Sequence, residues 1–405
     1  MSNPTFYAFA GIRTTLAPER LGRAVRQGGG IDQRTDLVEA TNIDLDDSGR
    51  ASRRAGQTRV VAGASHSLFA AAGTCLFVQD GALRQLNPDY SSSVLATGLA
   101  DAPLRYTEVD GSIYWSDASR SGVVVAGVAQ SWGLPLPPAQ PDAALVAGAL
   151  GAGSYQYALT WLTADGQESG TGLAARVQLP AGAGLAFSWP APADPRITQA
   201  ALYLSEPDGG VLYQALVVDA RAGSATFRGG ALALPLATQW LDPPPPGQDL
   251  AYHRGRIWIA AGAHLFATAA LGYGYCDLRD YLALDGSLIR FVVGLEHGLY
   301  VGTERAVYFV KGDSFAEMTL EPVVDGYGVA GSAIVVDGFA ATARPQLAGV
   351  HCALFACARG VCLGTPDGGV TNLTLDRYQS KIDLNGSAVL RESATLTQYL
   401  LAMHD

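Results

Sequence analysis

The residues that could do chemistry are few and scattered. Asp44-Leu45-Asp46-Asp47-Ser48-Gly49 places oxygens at the first, third and fifth positions of a loop and a glycine at the sixth, as the first half of a calcium-binding EF-hand does. That loop needs a bidentate glutamate at its twelfth position, and Ala55 stands there, so the string reads as a tight Asp/Ser-Gly turn. Three of the five cysteines, Cys352, Cys357 and Cys362, follow a C-x4-C-x4-C spacing beside His351. Zinc sites pair their cysteines more closely. In one continuous strand Cys357 would face away from the other two, whereas a hairpin turning at Arg359-Gly360 could bring them together. They read better as small buried hydrophobes. The other two cysteines are Cys75 and Cys276, and an odd number without a framework fits a reducing compartment. The histidines are His66, His253, His264, His297, His351 and His404, and none belongs to a zinc-protease, nucleophile-elbow or phosphate-loop motif. Asp117, Asp277, Asp280 and Glu296 are candidates for the carboxylate pair of a glycoside hydrolase. Arg50, Arg53, Arg54 and Arg59 form a basic cluster that either meets phosphates or an acidic neighbour, or lines a solvated hairpin edge. No catalytic, cofactor-binding or metal-ligating residue is assigned, and no cofactor is expected.

The elements that would hold these residues are strands. The chain has 405 residues, 48 Gly and 21 Pro with no short period, and only 16% charged residues. Such a composition excludes collagen, low-complexity disorder and a long helical bundle. The net charge of −10 argues against a free-standing nucleic-acid binder. The N-terminal residues lack the pattern of a signal peptide, and no charge-free apolar run is long enough to span a membrane as a helix, so synthesis in the cytoplasm without membrane insertion is expected.

Short strands separated by X-Gly turns recur at residues 67–87, 105–125, 250–270, 289–313 and 352–374, turning at Asp80-Gly81, Asp110-Gly111, Arg254-Gly255, His297-Gly298 and Arg359-Gly360. Repeated meanders of this kind are the texture of β-propeller blades. Between two proline-rich edges, at 134–142 and 242–247, the series breaks into an alanine-rich segment with strands near 153–161, 175–179, 185–189, 199–205 and 211–218. Its size is that of an immunoglobulin-like or fibronectin type III-like sandwich. The expected fold is therefore all-β: a six-bladed propeller with an inserted sandwich. The expected divisions are an arm at 1–36, propeller at 37–135, sandwich at 136–246 and propeller again at 247–405. The arm offers little core and is expected to order on docking.

Several strings carry a resemblance. LVEATNIDLDDSGRASRRAGQTR at 37–59, GSYQYALTWLTADGQESG at 153–170, DPRITQAALYLSEPDGGVLYQ at 194–214, HRGRIWIAAGAHLFAT at 253–268 and ARGVCLGTPDGGVTNLT at 358–374 are similar to regions of the tail nozzle, or DNA-stabilisation tail hub, proteins of short-tailed bacteriophages. The resemblance is one of texture and a few strings rather than of invariant catalytic residues. It implies a structural virion protein that forms a ring, commonly of six copies, below the portal and adaptor. There it would continue the DNA channel, hold or gate the packaged genome, and dock a fibre, spike or needle. DNA would be a passenger in the lumen, and the location would be the virion tail. The rival expectation is a carbohydrate-binding or glycan-hydrolysing propeller.

Overall fold

A computed structural model describes residues 8–21, 25–27, 30–32, 35–46, 48–56, 58–312, 314–342, 344–379, 381–393 and 396–404. Among these the chain is a β-propeller carrying an inserted β-sandwich. Helix is limited to one short segment, Gly338–Thr342, and three 3-10 turns.

Five antiparallel meanders form blades, four of them four-stranded and the third carrying a short fifth strand, Leu282–Ala283. The first runs Ser65–Ala71, Thr74–Gln79, Ala82–Leu86, Ser92–Thr97, and the second runs Arg105–Val109, Ser112–Ser116, Ser121–Val125, Val128–Gln130. The third begins with Asp249–His253 and Arg256–Ala261, the fourth with Ile289–Gly294 and Leu299–Thr303, and the fifth with Ile334–Asp337 and His351–Cys357. The two-residue turns come from local chemistry. Asp80 and Gly81 have φ of 53° and 68°, and Asp110 and Gly111 have 51° and 77°. Both residues of each pair take the left-handed geometry that matches strand twist in a tight hairpin, which glycine and aspartate tolerate best. His297-Gly298 works differently. The loop is wider, closed by Leu295 N–H donating to Gly298 O at 2.9 Å. A Cβ at Gly298 would lie 2.5 Å from Val310 O, so this glycine serves close packing.

The sixth position around the axis is held by a two-stranded hairpin, Asn385–Ser393 with Leu396–His404. Gly386 N–H donates to Ala330 O and Ala388 N–H to Gly331 O, tying it to the fifth blade. The chain ends meet beside it. Phe9–Ile12 pairs in parallel with Thr35–Leu37. Thr14 N–H donates to Arg377 O at 2.8 Å, and Thr15 Oγ1 to Asp376 O at 2.8 Å. Residues 9–15 of the N-terminal arm are thus docked on their own chain. Gly28 and Gly29 lie outside the described residues.

The insert is two packed sheets. Asp142–Leu150, Ala183–Ser188 and Ser224–Phe227 form one, and Ala175–Leu179, Gly153–Thr163, Ile197–Leu204 and Tyr213–Asp219 form the other. Strand alternation sends Tyr155, Tyr157, Leu159 and Trp161 into the interior against Leu185, Phe187 and Ile197, while Ala158 faces the opposite way. The sandwich is fixed to the second and third blades. Arg196 grips Asp194 at 2.7 Å, Gly133 O at 2.8 Å and the Ser131 hydroxyl. Glu168 N–H donates to the Tyr275 hydroxyl at 3.1 Å, while Trp132 Nε1, donating to Tyr273 O at 2.6 Å, joins the second blade's exit to the third blade. A Cβ at Gly170 would lie 1.7 Å from Leu241 O, so the segment that leads out of the insert runs backbone to backbone against it.

Candidate functional site

The innermost strands of all six units enclose a cavity of about 570 Å³ at the propeller axis. Its polar lining includes Arg105 and Asp249, with His66, Ser67, Tyr106 and Ser387, and its apolar wall includes Phe69, Leu250, Phe291 and Val389. Ser67 sits at an irregularity of the first blade's inner strand with φ of 54°. A non-glycine residue in this region is strained. The hydroxyl fixes it there, accepting from Leu104 N–H at 2.8 Å and lying 2.8 Å from His66 Nδ1.

Asp249 opens the inner strand of the third blade. One carboxylate oxygen accepts from Val292 N–H at 2.8 Å, and the other stands 4.0 Å from Arg105 Nε. Burial pushes its carboxyl up to about 6, and Arg105 and the N–H groups of Val292 and Leu250 pull it back only in part. Arg105 opens the inner strand of the second blade. Its guanidinium lies over Gly331, where a Cβ would come 2.5 Å from Nη2.

Most sequence-derived candidates lie elsewhere. Asp46 accepts from Ser48 N–H and Arg50 N–H, both at 3.0 Å, inside the turn between Ile43–Leu45 and Ala51–Arg53. Asp44 is claimed instead by Arg54 and Arg391, each at 3.1 Å. The two carboxylates therefore serve separate structural tasks, and Asp47 lies outside the described residues. Arg54 is spent on Asp44, and Arg59 donates to Val61 O and Gly63 O, so among the described residues Arg50 and Arg53 of the basic cluster are left for an outside partner.

The hairpin of the fifth blade brings Cys357 and Cys362 together, with sulfurs 3.6 Å apart. Cys352 packs in a separate cluster with Val336 and Leu354. Among the described residues no three histidine, cysteine or acidic side chains are grouped to hold a metal. Of the histidines, His66 alone lines the axial cavity. His297 and His351 are exposed, and His404 lies 3.2 Å from the Ser387 hydroxyl.

Asp117 is buried and caps its own turn through Ser119 N–H and Arg120 N–H. Asp277 and Asp280 do share a cavity, of about 400 Å³, with Arg256, Trp258 and Phe315. Arg279 forks onto both oxygens of Asp277 at 2.8 and 2.6 Å, however, and its hydrogen bond holds that carboxyl below the usual range. Glu296 is exposed beside His297.

Sequence reasoning missed Arg105 and Asp249. A signal was present. Ser67, Arg105 and Asp249 each stand five residues before the first turn of their blade, at Ala72-Gly73, Asp110-Gly111 and Arg254-Gly255. Aligning the units by those turns places all three at one level of the axis.

The outer surface is the second feature. Large apolar side chains stand in that surface, with Leu173 82%, Leu234 79% and Leu271 77% exposed.

No protein-family model and no curated protein matches the chain. Among solved structures it is similar to a catalytically inactive virginiamycin B lyase from Staphylococcus aureus with quinupristin, at 10% identity and a TM-score of 0.30, over 83% of this chain and 91% of that one. A gluconolactonase from Xanthomonas campestris matches at 13% identity and 0.24, over 73% and 84%. Apo AztD from Citrobacter koseri matches at 15% and 0.28, over 87% and 78%. Likeness this loose carries no argument about function.

Proposed function

We propose that this protein is a structural subunit of a bacteriophage tail, forming a ring that continues the DNA channel below the portal and adaptor and holds or gates the packaged genome. The observation that carries this reading is the surface. Leu173 and Leu234 of the sandwich and Leu271 of the propeller stand 82%, 79% and 77% exposed on it. It suits a subunit that buries a face against a neighbour on each side. The exposed leucines on both the propeller and the sandwich agree with that use. A net charge of −10 suits a lumen through which DNA slides without sticking. In this role the partners are further copies of the chain, an adaptor-side ring and a fibre, spike or needle, with DNA as passenger. The task is mechanical and asks for no catalysis.

Electron microscopy and native mass measurement of the purified protein, alone and mixed with a candidate adaptor ring, test the reading. The expected result is a closed ring, near six times 42.2 kDa, with a bore that admits duplex DNA. A monomer that persists with the adaptor present overturns it.

A further inference from the structure

The axial cavity has the marks of a binding site independent of ring assembly. Its volume, about 570 Å³, falls within the range of pockets that enclose small molecules. Arg105 is only 22% exposed, yet among the described residues no acceptor lies within hydrogen-bond reach of its guanidinium, and the nearest carboxylate is Asp249 at 4.0 Å. A guanidinium left unpaired in a partly closed cavity is a ready fork for a carboxylate. Its seat exists because residue 331 is glycine, where any Cβ would press on the guanidinium and on Gly386 O. Asp249 accepts from Val292 N–H through Oδ2, and its Oδ1 is the oxygen that stands nearest Arg105. The 4.0 Å gap between Arg105 Nε and that oxygen is too long for a direct bond but lets one hydroxyl sit about 2.8 Å from both, accepting from the arginine and donating to the aspartate. Leu68 and Val389, both largely exposed, supply an apolar rim above these groups.

We propose that the axial cavity binds a small hydroxylated carboxylate of the sugar-acid class, with Arg105 taking the carboxylate and the Arg105–Asp249 gap taking a hydroxyl.

Isothermal titration calorimetry of the full chain with D-glucuronate, D-glucose and acetate tests this. Glucose lacks the carboxylate and acetate lacks the hydroxyls. Saturable glucuronate binding at least about tenfold tighter than either is expected, and Arg105→Gln should weaken it by about tenfold or more. Glucuronate binding no tighter than glucose and acetate overturns the proposal, as does a folded Arg105→Gln variant that binds like the parent protein. Should that variant fail to fold, the three-probe comparison on the parent protein still decides. A monomer that binds glucuronate would leave this site standing and remove the ring. A ring that ignores glucuronate would do the reverse.

Discussion

Asp249 at the propeller axis and Asp44 at the ring closure both face arginines, and they end in opposite states. At the closure, Arg54 and Arg391 each reach Asp44 at 3.1 Å, and Gln398 adds a third donor. Burial pushes the Asp44 carboxyl up, but these hydrogen bonds outweigh it and hold the group below its usual range. At the axis, Arg105 stops at 4.0 Å and burial wins. The difference teaches that an arginine near a carboxylate is not a fixed quantity. Direct donation at hydrogen-bond distance makes a structural clamp, while a gap of one ångström more in a buried place leaves both partners underused. The first arrangement closes the ring. The second is what a ligand site looks like before it is filled.

The largest expected effect is at the axis. The native state takes up a proton at Asp249 near pH 6, and the unfolded chain only near 3.8. Between these values the native state holds more protons, so this group's contribution is fully present below about pH 4 and is lost as pH rises through 6. The loss is on the order of 2–3 kcal/mol. Asp249→Asn keeps an oxygen for Val292 N–H and removes the ionisation. Urea melts of parent and variant from about pH 4 to about 7.5 should diverge with rising pH, the variant gaining relative to the parent. Parallel pH profiles would show that the carboxylate is solvated and that the comparison with Asp44 is empty.

A smaller effect of opposite sign is expected at the closure. The Asp44 carboxyl is depressed in the native state, so its contribution is present above about pH 4 and is lost as pH falls below the unfolded value. Asp44→Asn should remove that acid dependence. It should also speed amide exchange in Asn385–Ser393 and Leu396–His404, the hairpin that Arg391 and Gln398 belong to, while leaving the sandwich strands unchanged. Uniformly faster exchange across the blades would mean that the pair supports the whole fold rather than its closure.

The blades were readable where a turn has its own chemistry. Asp80-Gly81, Asp110-Gly111 and Arg254-Gly255 announce hairpins because few residue pairs accept that backbone. The sandwich was readable through the alternation of Tyr155, Tyr157, Leu159 and Trp161. The hairpin at 385–404 was not, since residues 393–396 read Ser-Ala-Thr-Leu and carry no turn pair. Nor was the axial pair. Arg105 and Asp249 are 144 positions apart in sequence, because the sandwich is inserted between the second and third blades, and they meet only when those two blades pack side by side. Of the four carboxylates offered as a glycosidase pair, three are taken up locally, Asp117 and Asp277 as caps of their own turns and Glu296 beside His297.

The smallest effect concerns a third pair of the same residue types. Arg359 Nη2 lies 2.9 Å from Asp325 Oδ2, closer than either arginine approaches Asp44, and Arg359 Nε also donates to Asp325 O at 2.8 Å. If distance alone decided, this would be the strongest clamp of the three. The side chains are 58% and 89% exposed, however, so water competes for every hydrogen bond and salt screens the charges. Arg359→Ala should therefore cost about 0–0.5 kcal/mol in urea melts, and raising the salt should shrink even that. A cost comparable to that of the buried sites would show that donor distance outranks burial in this fold. The contrast between axis and closure would then reduce to one ångström of geometry, with the interior playing no part.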